Sequence, residues 1–133
     1  MRALLISLVL ALGTVSAAKA QDDPLSEVIQ SQIDAFLADD FATAFTFASP
    51  MIQGMFGTSE NFGMMVRRGY PMVHRPGRIA YLDQRVEEGA SYQTVEIIDQ
   101  SGRAHYLEYE MVQTSSGWQI NGVRFVAPPS VGA

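Results

Sequence analysis

Two hydrophobic periods divide the chain. From residue 24 to 70 apolar side chains recur every three or four positions, and from 78 to 126 they alternate with polar ones. Asp23-Pro24 pairs an N-cap with a proline at the first helical position, where the missing N–H costs nothing. Leu25, Val28, Ile29, Ile33, Phe36 and Leu37 then follow at helical spacing. Asp39-Asp40 breaks that stripe and caps a second helix with Phe41, Ala44, Phe45 and Ala48, which Ser49-Pro50 ends. Residues 51–57, apolar and glycine-containing, read as a loop or short turn tucked against the core. Thr58 or Ser59 caps a third helix whose inner face carries Phe62, Met65, Val66, Gly69 and Tyr70, and Pro71 stops it.

Pro76-Gly77 marks a turn, after which the period becomes two. Strands are predicted over 78–86, 92–98, 104–113 and 118–126, separated by Glu87-Glu88-Gly89, residues 99–102 and residues 114–117. Such short connections make neighbouring strands antiparallel. Asn121-Gly122 reads as a bulge inside the last strand rather than as a hairpin turn. A bulge reconciles Trp118 and Ile120 in one phase with Val123 and Phe125 in the other. The predicted fold is α+β, three N-terminal helices packed on a curved antiparallel sheet of about four strands.

The first twenty residues are set apart from this fold. Met1-Arg2 is a positive start, Ala3 to Gly13 is apolar, and Ala18-Lys19-Ala20 places small residues before Gln21. That is the layout of a secretory signal peptide cleaved after Ala20, with a periplasmic or secreted destination. Its apolar run is too short to span a bilayer, so no stable membrane anchor is expected after cleavage. The remainder, residues 21–126, makes one domain, and 127–133 a loose tail.

Composition narrows the chemistry. The chain has no cysteine, which excludes disulfides, thiol nucleophiles and thiolate zinc sites. Nine basic residues less Arg2 and Lys19 leave seven, all arginine, against 14 acidic ones, a net charge near −7 for the cleaved chain. That balance argues against nucleic acid as a partner.

Several residues resemble a known family. The helix with Ile29, Ile33 and Phe36, the Asp39-Asp40-Phe41 break and the ending Gly117-Trp118-Gln119-Ile120-Asn121-Gly122-Val123 look like a nuclear transport factor 2-like (cystatin-like) domain. Met65-Val66-Arg67 with Tyr70-Pro71-Met72 resembles, more narrowly, the bacterial family called domain of unknown function 4864. The resemblance implies a cone, a curved sheet wrapped around a long helix with a pocket at the open end. It implies no activity, because this superfamily holds enzymes, ligand binders and assembly domains alike.

The candidate site follows from side-chain phase. His105 alternates with Leu107, Tyr109 and Met111 on the apolar strand face, and Tyr70 is the polar group on the inner side of the third helix. With His74 and Arg75 in the segment before the first strand, these form the candidate ligand-binding set: Tyr70, His74, Arg75, His105 and Tyr109. No catalytic residue, metal ligand or cofactor is assigned. The first expectation is a non-catalytic module binding a small hydrophobic molecule or another envelope protein. The alternatives are an isomerase- or dehydratase-type enzyme, which needs a cavity-facing His or carboxylate beside a donor, or a purely structural dimerising domain. Asp83 falls in the outward phase with Tyr81 and Arg85. Glu108 and Glu110 are expected to pair with Arg85, Arg103 or Arg124. The outward face with Tyr81, Tyr92, Thr94 and Tyr106 is a candidate homodimer surface. Met51, Met55, Met64, Met65 and Met72 surround the third helix as adaptable core. The basic run Arg67, Arg68, His74, Arg75 and Arg78 reads mainly as a helix ending, since a helix C-terminus is the wrong dipole end for an anion.

Overall fold

The computed structural model describes residues 23–129. The expected leader and the last four residues of the expected tail lie outside them. The elements run α1 (Pro24–Leu37), α2 (Phe41–Thr46), α3 (Pro50–Phe56), α4 (Ser59–Gly69), α5 (Pro71–His74), then β1 (Pro76–Glu87), β2 (Ala90–Asp99), β3 (Ala104–Thr114) and β4 (Gly117–Phe125). The strands form one antiparallel sheet in the order β1-β2-β3-β4. The three predicted helices are α1, α2 and α4. Two short ones join them: α3 replaces the expected turn, and α5 adds a single turn after Pro71.

The caps explain the helix starts. Asp23 accepts from the amides of Leu25 and Ser26, Asp40 from Thr43, and Thr58 from Asn61. Ser49 accepts from Ile52 with Pro50 at the first position, so the pair expected to end the second helix begins α3 instead; α2 itself stops at Thr46, and Ala48 lies outside it in a bridge to Ile120. α4 packs closely on Phe41 at Gly63, where a Cβ would lie 2.5 Å from the ring.

The core lies between α1 and one sheet face. Ile29, Ile33 and Phe36 of α1 meet Val95 and Ile97 of β2 and Leu107, Tyr109 and Met111 of β3, all essentially without solvent exposure. Phe62 of α4 joins this core through ring contacts with Phe36, Phe45 and Phe56 at centroid distances of 5.9, 5.3 and 5.6 Å.

Two bulges set which residues face the core. β4 is one strand whose pairing shifts at Asn121: Gly122 opposes Glu110 and Ile120 opposes Met111. Trp118, Ile120, Val123 and Phe125 thereby share a face, as the change of phase predicts. The second bulge, in β1, was not expected. Pairing jumps from Tyr81↔Val95 to Gln84↔Gln93, leaving Leu82 and Asp83 opposite Thr94 alone. Tyr81 therefore shares the inner face with Val95, contrary to its outward assignment. Its hydroxyl donates to Gln30 of α1 at 2.8 Å, and burial raises its pKa.

The outer face carries the expected ion pairs at Glu108 but not at Glu110, whose carboxylate accepts from the Tyr92 hydroxyl and the Asn121 amide instead of an arginine. Glu108, nearly buried, accepts from Arg85 at 3.1 Å and from Arg124 at 2.7 Å. Burial alone would push its carboxyl up, but the hydrogen bonds from Arg124 and Arg85 outweigh it and hold the pKa below the ordinary value. Arg85 also lies over the Tyr92 ring, 4.1 Å from its centroid, and pairs with Glu87.

Candidate functional site

A cavity of about 220 Å³ opens between α3, α4 and the sheet. Phe36 of α1 and Ala48 form its floor, and Ile52, Met55 and Phe56 of α3 cover one side. Met65 and Val66 of α4, with Tyr70, form a second side, and Tyr109, Ile120 and Val123 of the sheet the third. These walls follow from local folding. The β4 bulge brings Ile120 and Val123 to one face, and Gly57 at φ +78° ends α3. α3 itself buries no residue completely, and Met55, which lines the cavity, is more than half exposed.

The wall is apolar apart from three side chains. The Tyr70 hydroxyl donates to the Val123 carbonyl at 3.2 Å, and Gln32 Nε2 donates to the Ala44 carbonyl at 3.1 Å. Tyr70 is further fixed by parallel stacking on Phe125 at 5.2 Å. The Tyr109 hydroxyl is fully buried and makes no hydrogen bond, alone in this among buried side-chain polar atoms of the described residues. Burial raises its pKa, and the neighbouring Tyr81 and Tyr70 add to the effect, so the phenol stays neutral. An unpaired buried hydroxyl costs about 1–3 kcal/mol.

The candidate set is thus divided. Tyr70 and Tyr109 line the cavity; His74, Arg75 and His105 do not. His74 Nε2 lies 2.7 Å from Asp39 Oδ1, and Arg75 donates to both oxygens of Asp39 at 2.9 Å and to the Phe36 carbonyl at 3.0 Å. Asp39 sits at φ +54° immediately after α1, so His74 and Arg75 clasp the end of that helix. The His74 and Arg75 hydrogen bonds hold the Asp39 carboxyl below the ordinary carboxylate range. The basic run therefore disperses. Arg67 lies over Phe41 at 4.8 Å, while His74 and Arg75 bind a carboxylate of the chain itself. Arg75→Ala is expected to lower the melting temperature while leaving uptake by the cavity unchanged, as calorimetry and a binding titration would register. A loss of uptake at unchanged stability would return Arg75 to the site.

His105 closes a hairpin. Asp99 accepts from the Ser101 hydroxyl at 2.6 Å, the Ser101 amide at 2.9 Å, the Arg103 amide at 3.0 Å and His105 Nε2 at 2.8 Å. The Ser101 and His105 hydrogen bonds come first among the causes that hold its carboxyl far below the carboxylate range. A depressed folded pKa contributes stability above the unfolded value near pH 4, and that stability is lost as pH falls toward the folded value. The stability gap between wild type and Asp99→Asn, read from urea midpoints, should be constant from pH 7 to about 5 and shrink below about pH 4. A gap independent of pH down to the acid transition would refute this.

A wider surface depression of about 650 Å³ lies between the start of α1 and the β3–β4 turn. Its amides are already engaged: Gln53 Nε2 donates to the Ala48 carbonyl, and Gln119 Nε2 to those of Thr46 and Ala48. Among the described residues no three of His, Asp and Glu gather as metal ligands, and no helix is long and apolar enough to cross a membrane.

An α+β domain with helices on one face of a curved antiparallel sheet, and an apolar cavity under its short helices, is the class that fold and site define. Within that class the chain belongs to the family described as Domain of unknown function (DUF4864), whose family model matches residues 18–133. A search of curated proteins finds no match.

Proposed function

We propose that this protein is a non-catalytic ligand-binding module of the bacterial envelope, exported by its N-terminal leader and holding a small hydrophobic molecule between α3, α4 and the inner sheet face. The observation that carries this reading is the cavity itself, about 220 Å³ and walled by apolar side chains of α3, α4 and the sheet with no charged group among them. A concave, mostly apolar pocket with a few polar groups is the usual form of a small-molecule site. The isomerase or dehydratase alternative requires a titratable base facing the cavity. No carboxylate or imidazole is among the lining residues, and Asp83, His74 and His105 stand elsewhere, which favours binding over turnover.

Native mass spectrometry of the protein purified from its own periplasm tests the reading. The expected spectrum has a chain beginning at Gln21 with a co-purified small molecule. A bare chain that also takes up no cumene in solution would remove it. The outer sheet face, with Tyr92, Thr94 and Tyr106 but not Tyr81, is the surface proposed for a second copy or another envelope protein. A monomer mass by light scattering at micromolar concentration would eliminate the homodimer.

A further inference from the structure

We infer that the cavity is selective for a neutral, otherwise apolar molecule of about nine heavy atoms bearing one hydroxyl, a phenol or an alcohol, which donates its hydrogen bond to Gln32 Oε1. This rests on the binding reading above and adds the chemistry of the occupant. Size comes first. An apolar cavity of about 150 Å³ accommodates benzene, so about 220 Å³ scales to roughly nine heavy atoms.

Polarity follows from the acceptor that is left over. Gln32 is 3% exposed and borders the cavity from α1. Its Nε2 donates to the Ala44 carbonyl, while its Oε1 accepts from no described residue. That oxygen is not sealed into the packing, because the Tyr109 hydroxyl is the one fully buried side-chain polar atom of the described residues that lacks a partner. Around Gln32 the packing is closed. Ile29, Ile33 and Ala44 have no exposure, and Phe36 and Ala48, each at 1%, are themselves cavity wall. The open surface of Oε1 therefore lies toward the cavity. An amide oxygen accepts a proton and cannot give one. A hydrocarbon leaves it unpaired, and a ketone or ether turns only lone pairs toward it. A carboxylate or an ammonium would be desolvated with no opposite charge beside it, since no charged residue lines the cavity. A single hydroxyl on an apolar frame meets all these conditions.

The compounds para-ethylphenol, acetophenone and cumene share one heavy-atom count and differ in the feature at issue. Titrated by calorimetry into the whole protein, para-ethylphenol should bind about fivefold more tightly than either of the others. In isotopically labelled protein the Gln32 side-chain carbonyl resonance should move downfield with para-ethylphenol and not with cumene. In Gln32→Met the ratio of para-ethylphenol to cumene affinity should fall to about one. That variant gives up the Ala44 hydrogen bond and should melt lower, so the ratio is the readout, and the wild-type carbonyl resonance decides if the variant does not fold. A preference that survives Gln32→Met, a carbonyl resonance unmoved by para-ethylphenol, or acetophenone bound as tightly as para-ethylphenol would overturn the inference. Cumene bound with para-ethylphenol no tighter would overturn the inference alone. None of the three binding would overturn the pocket reading with it.

Discussion

Replacing Gln93 with leucine should lower the free energy of unfolding by about 3 kcal/mol, although the two side chains are close in size. Gln93 is essentially unexposed. Its Nε2 donates to the Leu82 carbonyl at 2.9 Å and the Thr94 carbonyl at 2.8 Å. Its Oε1 accepts from Gln84 at 2.7 Å and from the buried Ser26 hydroxyl at 3.4 Å. Leucine would keep the volume and strand this network. The Leu82 carbonyl and the Ser26 hydroxyl would each lose a partner at about 1–3 kcal/mol, partly offset by burying an apolar group. The same amide binds the β1 bulge, so Tyr81 should lose its fixed approach to Gln30. Urea unfolding measures the first effect and the Tyr81 ring resonances the second. A loss below about 1 kcal/mol would mean that the bulge holds itself.

Gly77→Ala should cost about 2–3 kcal/mol, for a reason unrelated to flexibility. Gly77 sits in the pairing shift between Pro76 and Arg78, and a Cβ there would lie 2.9 Å from the carbonyl oxygens of both Ile98 and Asp99. Both obstacles are backbone of the neighbouring strand, so relief requires the β1–β2 ladder to open. Gly54 offers the opposite case within the same chain. It lies inside α3, and a Cβ at that position would meet nothing within 4 Å, so Gly54→Ala should stabilise by about 0.5–1 kcal/mol. Paired thermal melts of the two variants decide the matter. Equal effects of one sign would sink the steric account.

The helices and strands are legible wherever one cue has one meaning. Asp23-Pro24 opens α1, and Asn121-Gly122 together with the phase change from Ile120 to Val123 reveals the β4 bulge. Ser49-Pro50 reads along the chain as a helix stop, yet α2 has already ended at Thr46 and the pair serves to cap α3. The β1 bulge carries no glycine or asparagine; Leu82-Asp83 looks like ordinary strand, and a distant glutamine holds it. Strict alternation misplaces Tyr81 for that reason. At the site, period places Tyr109 inward and Tyr70 beside it. It cannot reveal that one hydroxyl is partnered and the other is not, because that depends on the Val123 carbonyl, 53 residues away from Tyr70. Asp39 and Asp99 take the histidines, and their αL turn and hairpin geometry are tertiary facts.

The sheet also lacks a direction in which to grow. At β4, Ala48 forms a parallel bridge to Ile120, with the Ser49 amide on the Ile120 carbonyl and the Ile120 amide on the Phe47 carbonyl, both at 2.8 Å. At β1 the opposite edge is broken at Leu82 and Asp83 and continues through the charged residues Arg85 and Glu87. A strand arriving at either margin meets a bridge already made at Ile120 or an interrupted ladder at Leu82 and Asp83. Open-ended polymers built by strand addition are thereby disfavoured even in concentrated solution, and a partner that does associate is directed to the faces of the sheet rather than to its ends.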